Sequence, residues 1–377
     1  MGTKNIIIKN IFFDHDKFLG KRVNSLKIYD SPPRKMVLSP FCLAFDSIVK
    51  LFVLNFDNDP IYFRIELQIT RLKDKDYPLV ILYRKDNMMD MYYTSEAALN
   101  TRMDLLKDLF EKTSFNQLET IEYTFQFEDM GLNAYLYLED KLEKEIEIKV
   151  KEHYPNRELY AILAPMGIIS EKPKYLPIVF LNEFGMFLKN NIEVLVRIHG
   201  ESRNLIEMPF QINGMQVYAG HFSLNPIVCN WNKNASDDIS PIILNPPSLT
   251  TSEKNIDLAL KNNSNYYEIK KISWKDQNNQ IVSFEFSPAI PNLISLKNNS
   301  KVKGRFSCEI NENKGVFGGA YNIGRSGNFI EIRITPTKGW QLSSGKLWLE
   351  SYTWKAIIQI EDDGNFKIKS YWRRVPG

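Results

Sequence analysis

The chain is poor in histidine and cysteine, and it lacks a long apolar run or a charge imbalance; each shortage removes a class of function. Its three cysteines, Cys42, Cys229 and Cys308, are far apart and odd in number, which suits buried thiols in a reducing compartment and not a disulfide framework. The four histidines, His15, His153, His199 and His221, show no H-E-x-x-H spacing, and there is no C-x-x-C. No metal site is expected. His199 and Glu201 give H-x-E without the P-C-x-x-C that a zinc deaminase requires. No stretch approaches the run of about 18 apolar residues that spans a bilayer, so no stable membrane insertion is expected. The start, MGTKNIIIKN, holds too short an apolar stretch for a signal peptide, and a cytoplasmic location is expected. With 48 basic residues against 45 acidic ones, the net charge is +3. That is no electropositive field for nucleic acid, and no nucleic-acid partner is expected.

Nucleotide and nucleophile signatures are missing as well. GAYNIGRS, Gly319 to Ser326, falls one residue short of G-x-x-x-x-G-K-[ST], with Arg325 where the lysine should stand. A phosphate loop needs a helix after it, because the helix N-terminus presents the amide donors. Here NFIEIRIT follows, Asn328 to Thr335, and it alternates as a strand. The stretch therefore reads as a strand and a hairpin turn, with the turn at Gly324-Arg325-Ser326-Gly327. Neither G-x-S-x-G nor G-x-G-x-x-G is present, and strands do not alternate with helices as a dinucleotide fold requires. No cofactor is expected.

What the chain does have is period-two alternation from end to end. Ile61, Phe63, Ile65, Leu67 and Ile69 alternate with Tyr62, Arg64, Glu66, Gln68 and Thr70. The same pattern holds for Ile121, Tyr123, Phe125 and Phe127, and for Ile146, Ile148 and Val150. Each such strand is expected to bury one face and wet the other, as antiparallel sheets do. Asn213-Gly214 and Asp363-Gly364 supply hairpin turns. One amphipathic helix is expected at 95–113, with Leu99, Met103, Leu106 and Phe110 on one face and Ser95 as N-cap. A shorter helix is expected over Ser252 to Lys261. The fold class is all-β, antiparallel barrels or sandwiches. All six tryptophans lie from Trp231 onward, which divides the chain into an N-terminal β-domain at 1–231, a linker at 232–248 and a Trp-rich β-domain at 249–377; a competing break lies at Ala164 to Pro177.

The candidate site lies in KLWLESYTWKA. Alternation puts Trp348, Glu350, Tyr352 and Trp354 on one face, a wall of rings with one carboxylate in it. Such a wall fits a pocket for a large apolar or cationic ligand, and a buried Glu350 would have a raised pKa and could serve as general acid. The same row reads equally as a packed strand. Gly318 and Gly319 inside a strand mark either a bulge or a close approach by a ligand. The basic, aromatic tail KIKSYWRR is a solvated face or a phosphate contact, and Tyr218 and His221 would share a role only across a bulge at Gly220.

In length, strand count and two-part layout the chain resembles the tandem lipocalin-like proteins, the group that includes carotenoid hydratases and decalin-forming cyclases. No motif carries the resemblance; the lipocalin G-x-W near the N-terminus is absent, and no family residues are transferred. It implies two β-domains and adds a little weight to an enzyme acting on a hydrophobic small-molecule partner. Three functions follow: binding of an isoprenoid, polyene or lipid-like molecule in a β-barrel or interdomain pocket; an isomerase, cyclase or hydratase on the same pocket, using Glu350; or a protein or glycan interaction module.

Overall fold

The computed structural model describes residues 28–29, 34–100, 113–163, 172–212, 214–245, 250–253, 256–276, 279–310, 313–336 and 352–374. Strand makes up 68% of the described residues and helix 4%, with a sheet curled into a half-barrel. The chain is all-β, as alternation predicts. Most ladders are antiparallel, and Met89–Tyr93 runs parallel to Thr113–Gln117. No helix among the described residues is long and apolar enough to cross a membrane.

Contacts divide the chain into two units. Residues 46–162 and 179–228 fall in the first; residues 163–178 and 229–377, with the described residues up to Phe45, fall in the second. The N-terminal segment joins the second unit through specific contacts. Leu43–Phe45 pairs with Cys229, Asn230 and Trp231, and Tyr29 stacks on Tyr266 at 4.1 Å while its hydroxyl donates to Glu268 at 2.8 Å. The segment expected as a linker, 232–248, carries strands: Ser236–Asp238 pairs with Phe366–Arg374, and Ile242–Ile243 pairs with Met36–Val37.

In the first unit a large sheet places Met215–Ser223, Ile48–Asn55, Tyr62–Leu72, Lys75–Arg84 and Met89–Tyr93 side by side. A five-stranded sheet holds Glu122–Glu128, Gly131–Glu139, Glu145–Glu152 and Ile192–Ile198. One core cluster joins the two: Phe52, Leu54, Ile65, Leu67, Phe187 and Phe222 from the first sheet, with Phe125, Leu136, Ile148 and Val196 from the second. In this five-stranded sheet the outward residues Glu122, Glu145 and Lys149 are exposed, as the period predicts. Tyr62–Leu72 corrects the expectation of one wet face, because Glu66, Gln68 and Thr70 are buried too.

Among the described residues the second unit holds a ten-stranded sheet: a meander of nine strands in chain order from Thr250–Glu253 to Phe366–Arg374, with Ser236–Asp238 beyond the last as the tenth. The helix expected over Ser252 to Lys261 is not formed. Thr250–Glu253 and Ile256–Asn263 are paired strands instead, because Leu258 and Leu260 are buried while Asp257 and Lys261 are exposed, a period of two and not of 3.6. In the first unit, the helix expected at 95–113 begins as Glu96–Asn100, and Ser95 Oγ accepts from the Ala98 amide at 3.3 Å; residues 101–112, with Met103, Leu106 and Phe110, lie outside the described residues.

Candidate functional site

The aromatic row divides. Trp348 and Glu350 lie outside the described residues. Tyr352 and Trp354 are fully buried on the strand Tyr352–Ile360, where Trp354 pairs with Trp372 and Ile334. Their side of the sheet is rich in ring contacts. Phe41 meets Trp354 at 5.8 Å and Phe286 at 5.4 Å. Trp231 stacks on Phe284 at 4.4 Å and meets Phe306, Phe317 and Trp372 at 5.3, 5.6 and 5.8 Å. These rings give the second unit its packed core.

Gly318 and Gly319 are explained by backbone approach. A Cβ on Gly319 would lie 2.3 Å from the Thr335 carbonyl oxygen and 2.6 Å from the Phe306 ring; one on Gly318 would lie 2.8 Å from the Phe306 carbonyl oxygen. The pairing register also slips just there: Ser307 faces Gly318 and Glu309 faces Lys314. Protein atoms thus fill the room both glycines leave, beside an irregular ladder. Downstream the strand runs on to Ser326, so the turn falls at Gly327, φ 57°, later than expected. Arg325 is tied to protein: its backbone amide donates to Ser300, and its guanidinium to the carbonyls of Gly327 and Leu296.

A polar cluster that alternation placed in water has a stronger claim. Across the large sheet of the first unit one row reads His221, Val53, Glu66, Ile81, Met91. Arg64 and Gln68 flank Glu66 two residues away on the same strand face, and Tyr83 stands opposite Arg64. Glu66 is the hub. It accepts from Arg64 at 3.0 Å, from the Tyr83 hydroxyl at 2.9 Å and from the Gln68 amide. The Arg64 guanidinium lies over the Tyr83 ring, 4.7 Å from its centroid. His221 packs beside Phe184, with ring centroids 5.6 Å apart.

The electrostatics follow from this placement. Desolvation, aided by the Arg64 charge, pushes the His221 imidazole down to about 4, against a weaker pull from Glu66. It is neutral at pH 7. Burial works against the Arg64 cation, but Tyr83 and Glu66 outweigh it and hold its pKa up. Arg64 and Glu66 cancel, leaving a polar cluster without net charge. Arg64 Nε is buried and has no hydrogen-bond partner among the described residues, although the side chain as a whole keeps 30% of its surface open. Around these groups the sheet is apolar, with Leu79, Ile81, Met89, Met91 and Leu99 clustered beside Tyr83.

Tyr218 does not join His221. The ladder to Leu176–Leu188 slips between Met186 and Leu188, where Met186 faces His221 and Leu188 faces Val217, yet Tyr218 packs on the core cluster, the opposite face. His199 ends its strand with φ 54° and its Nε2 lies 2.7 Å from Asp140. His15 lies outside the described residues. Among the described residues no group of three or more His, Cys, Asp or Glu could hold a metal ion.

One signal in the sequence points toward the Glu66 cluster. Pro78 to Leu82, PLVIL, is apolar at every position, and a strand apolar on both sides is covered on both sides. Its neighbour Tyr62–Leu72 is covered likewise. Comparison of the chain with family models, curated proteins and solved structures gives no match.

Proposed function

We propose that the protein binds an apolar small molecule carrying one neutral polar group, held against the large sheet of the first unit. The observation that carries this reading is Arg64 Nε, a buried donor without a partner among the described residues, in a charge-balanced cluster on an apolar sheet face. An unsatisfied buried donor costs about 1–3 kcal/mol. A hydroxyl or carbonyl oxygen would accept from it, and the neutral His221 ring offers a second donor or acceptor. A carboxylate would meet Glu66 and an amine would meet Arg64, so the cluster favours an uncharged head group. Val53, Ile81, Met89 and Met91, all buried, make the surroundings of the cluster apolar, which suits an apolar ligand body.

Binding is favoured over catalysis at this cluster. A general base works best with a pKa near the operating pH, and His221 at about 4 is far below it. The enzyme reading rests on Glu350 alone.

The test is to extract the purified protein with organic solvent, analyse the extract by mass spectrometry, and titrate the emptied protein with a retinoid, a polyene, a sterol and a fatty alcohol. A bound neutral compound is expected, with affinity falling about tenfold or more in Arg64→Gln. No co-purifying compound and no response to any of the four would sink the reading.

A further inference from the structure

We infer that the second unit carries a separate carbohydrate-binding site, in a surface cavity of about 340 Å³ whose lining includes Ser236, Asp237, Asp238, Phe329, Gln359, Lys367 and Lys369. The cavity lies on the outer face of the last strands of the meander. One cross-strand row reads Phe329, Gln359, Lys367, Asp238. The next reads Glu331, Ile357, Lys369, Ser236. Their strand neighbours Ile330, Ile358, Phe366 and Ile368 are buried, so alternation turns these two rows outward.

Two properties of the lining select the ligand class. The first is an exposed ring. Phe329 keeps 50% of its surface open, a flat apolar plate set among polar groups. A pyranose presents one face of C–H bonds and a rim of hydroxyls, each both donor and acceptor. The face fits the ring, and the rim fits the Ser236 hydroxyl, the Gln359 amide, the Asp238 carboxylate and the Lys369 ammonium.

Mixed polarity is the second. Lys367 is neutralised by Glu361, 2.8 Å away. Asp237, Asp238 and Lys369 then leave two carboxylates and one ammonium in the lining. An anion would meet the two carboxylates, whereas the hydroxyls of a polyol donate to them and accept from Lys369. The volume sits at the lower end of the range of roughly 300–1,000 Å³ for small-molecule pockets, which suits a mono- or disaccharide. Because these side chains are exposed and already hydrated, affinity is modest, with Kd on the order of 1 mM.

The experiment is saturation-transfer NMR on the full chain with glucose, galactose, mannose, N-acetylglucosamine, cellobiose and lactose, followed by titration calorimetry on any binder. At least one of these sugars should receive saturation and bind with Kd of about 1 mM. Phe329→Ala and Gln359→Ala should each weaken that sugar about tenfold or more while leaving the far-UV circular dichroism unchanged, since both side chains are exposed. No transfer to any of the six sugars overturns the assignment. So does binding that both variants leave intact, or glucuronate binding as tightly as the neutral sugar.

Discussion

His221 shows how one residue couples site and stability. Its folded pKa of about 4 lies below the unfolded value of about 6.5. As pH falls from 6.5 toward 4, the unfolded chain takes up a proton that the folded chain refuses. Stability is therefore complete above about pH 6.5 and drains away as pH falls through that window, by up to about 3 kcal/mol. In His221→Gln this part of the acid dependence should vanish. Urea midpoints at pH 4.5 and pH 7 measure it, and an unchanged difference between the two would show that the imidazole is not desolvated. The residue type is visible in QVYAGHFSLN, but its desolvation is not, because it depends on Arg64 and Phe184, brought in by other strands.

At the scale of elements, alternation locates most strands, and its errors share a cause. The spacing of Ser252 to Lys261 fits a helix and a period of two alike, and only the partners decide between them. Ile256–Asn263 has Thr250–Glu253 along one edge and Tyr266–Lys275 along the other, and a strand paired on both edges satisfies its backbone without a helix. Glycines in a strand are likewise decided by neighbours. Gly319→Ala would drive a Cβ into the Thr335 carbonyl oxygen and the Phe306 ring, neither of which can yield cheaply. A loss of about 3 kcal/mol is expected. Gly327→Asn is the contrast, since nothing lies within 4 Å of its Cβ and φ is 57°; asparagine tolerates that conformation, and the loss should be below about 1 kcal/mol. Chemical denaturation of the two variants separates crowding from backbone conformation.

For the whole molecule, two cores imply two unfolding events. Every tryptophan falls in the chain span of the second unit, so indole emission reports that unit, while far-UV circular dichroism reports both. Phe222→Ala removes a fully buried ring from the first core, at a cost of about 3–5 kcal/mol. The circular dichroism transition should broaden toward lower denaturant while the tryptophan midpoint holds. Equal shifts in both probes would mean that the chain unfolds as one.

The sequence by itself determined the all-β class, the hairpin turn at Asp363-Gly364 and the strand after GAYNIGRS, because a period of two and a turn's need for positive φ are local properties. Tertiary structure alone decided which polar faces are dry and which partners they meet. Arg64, Glu66 and Gln68 read as solvent-facing along their own strand; Tyr83 and His221 come from other strands, His221 from far along the chain. It decided also that Gly318 and Gly319 admit backbone and the Phe306 ring. Burial and contact are set by what lies across the sheet, and no local pattern encodes that.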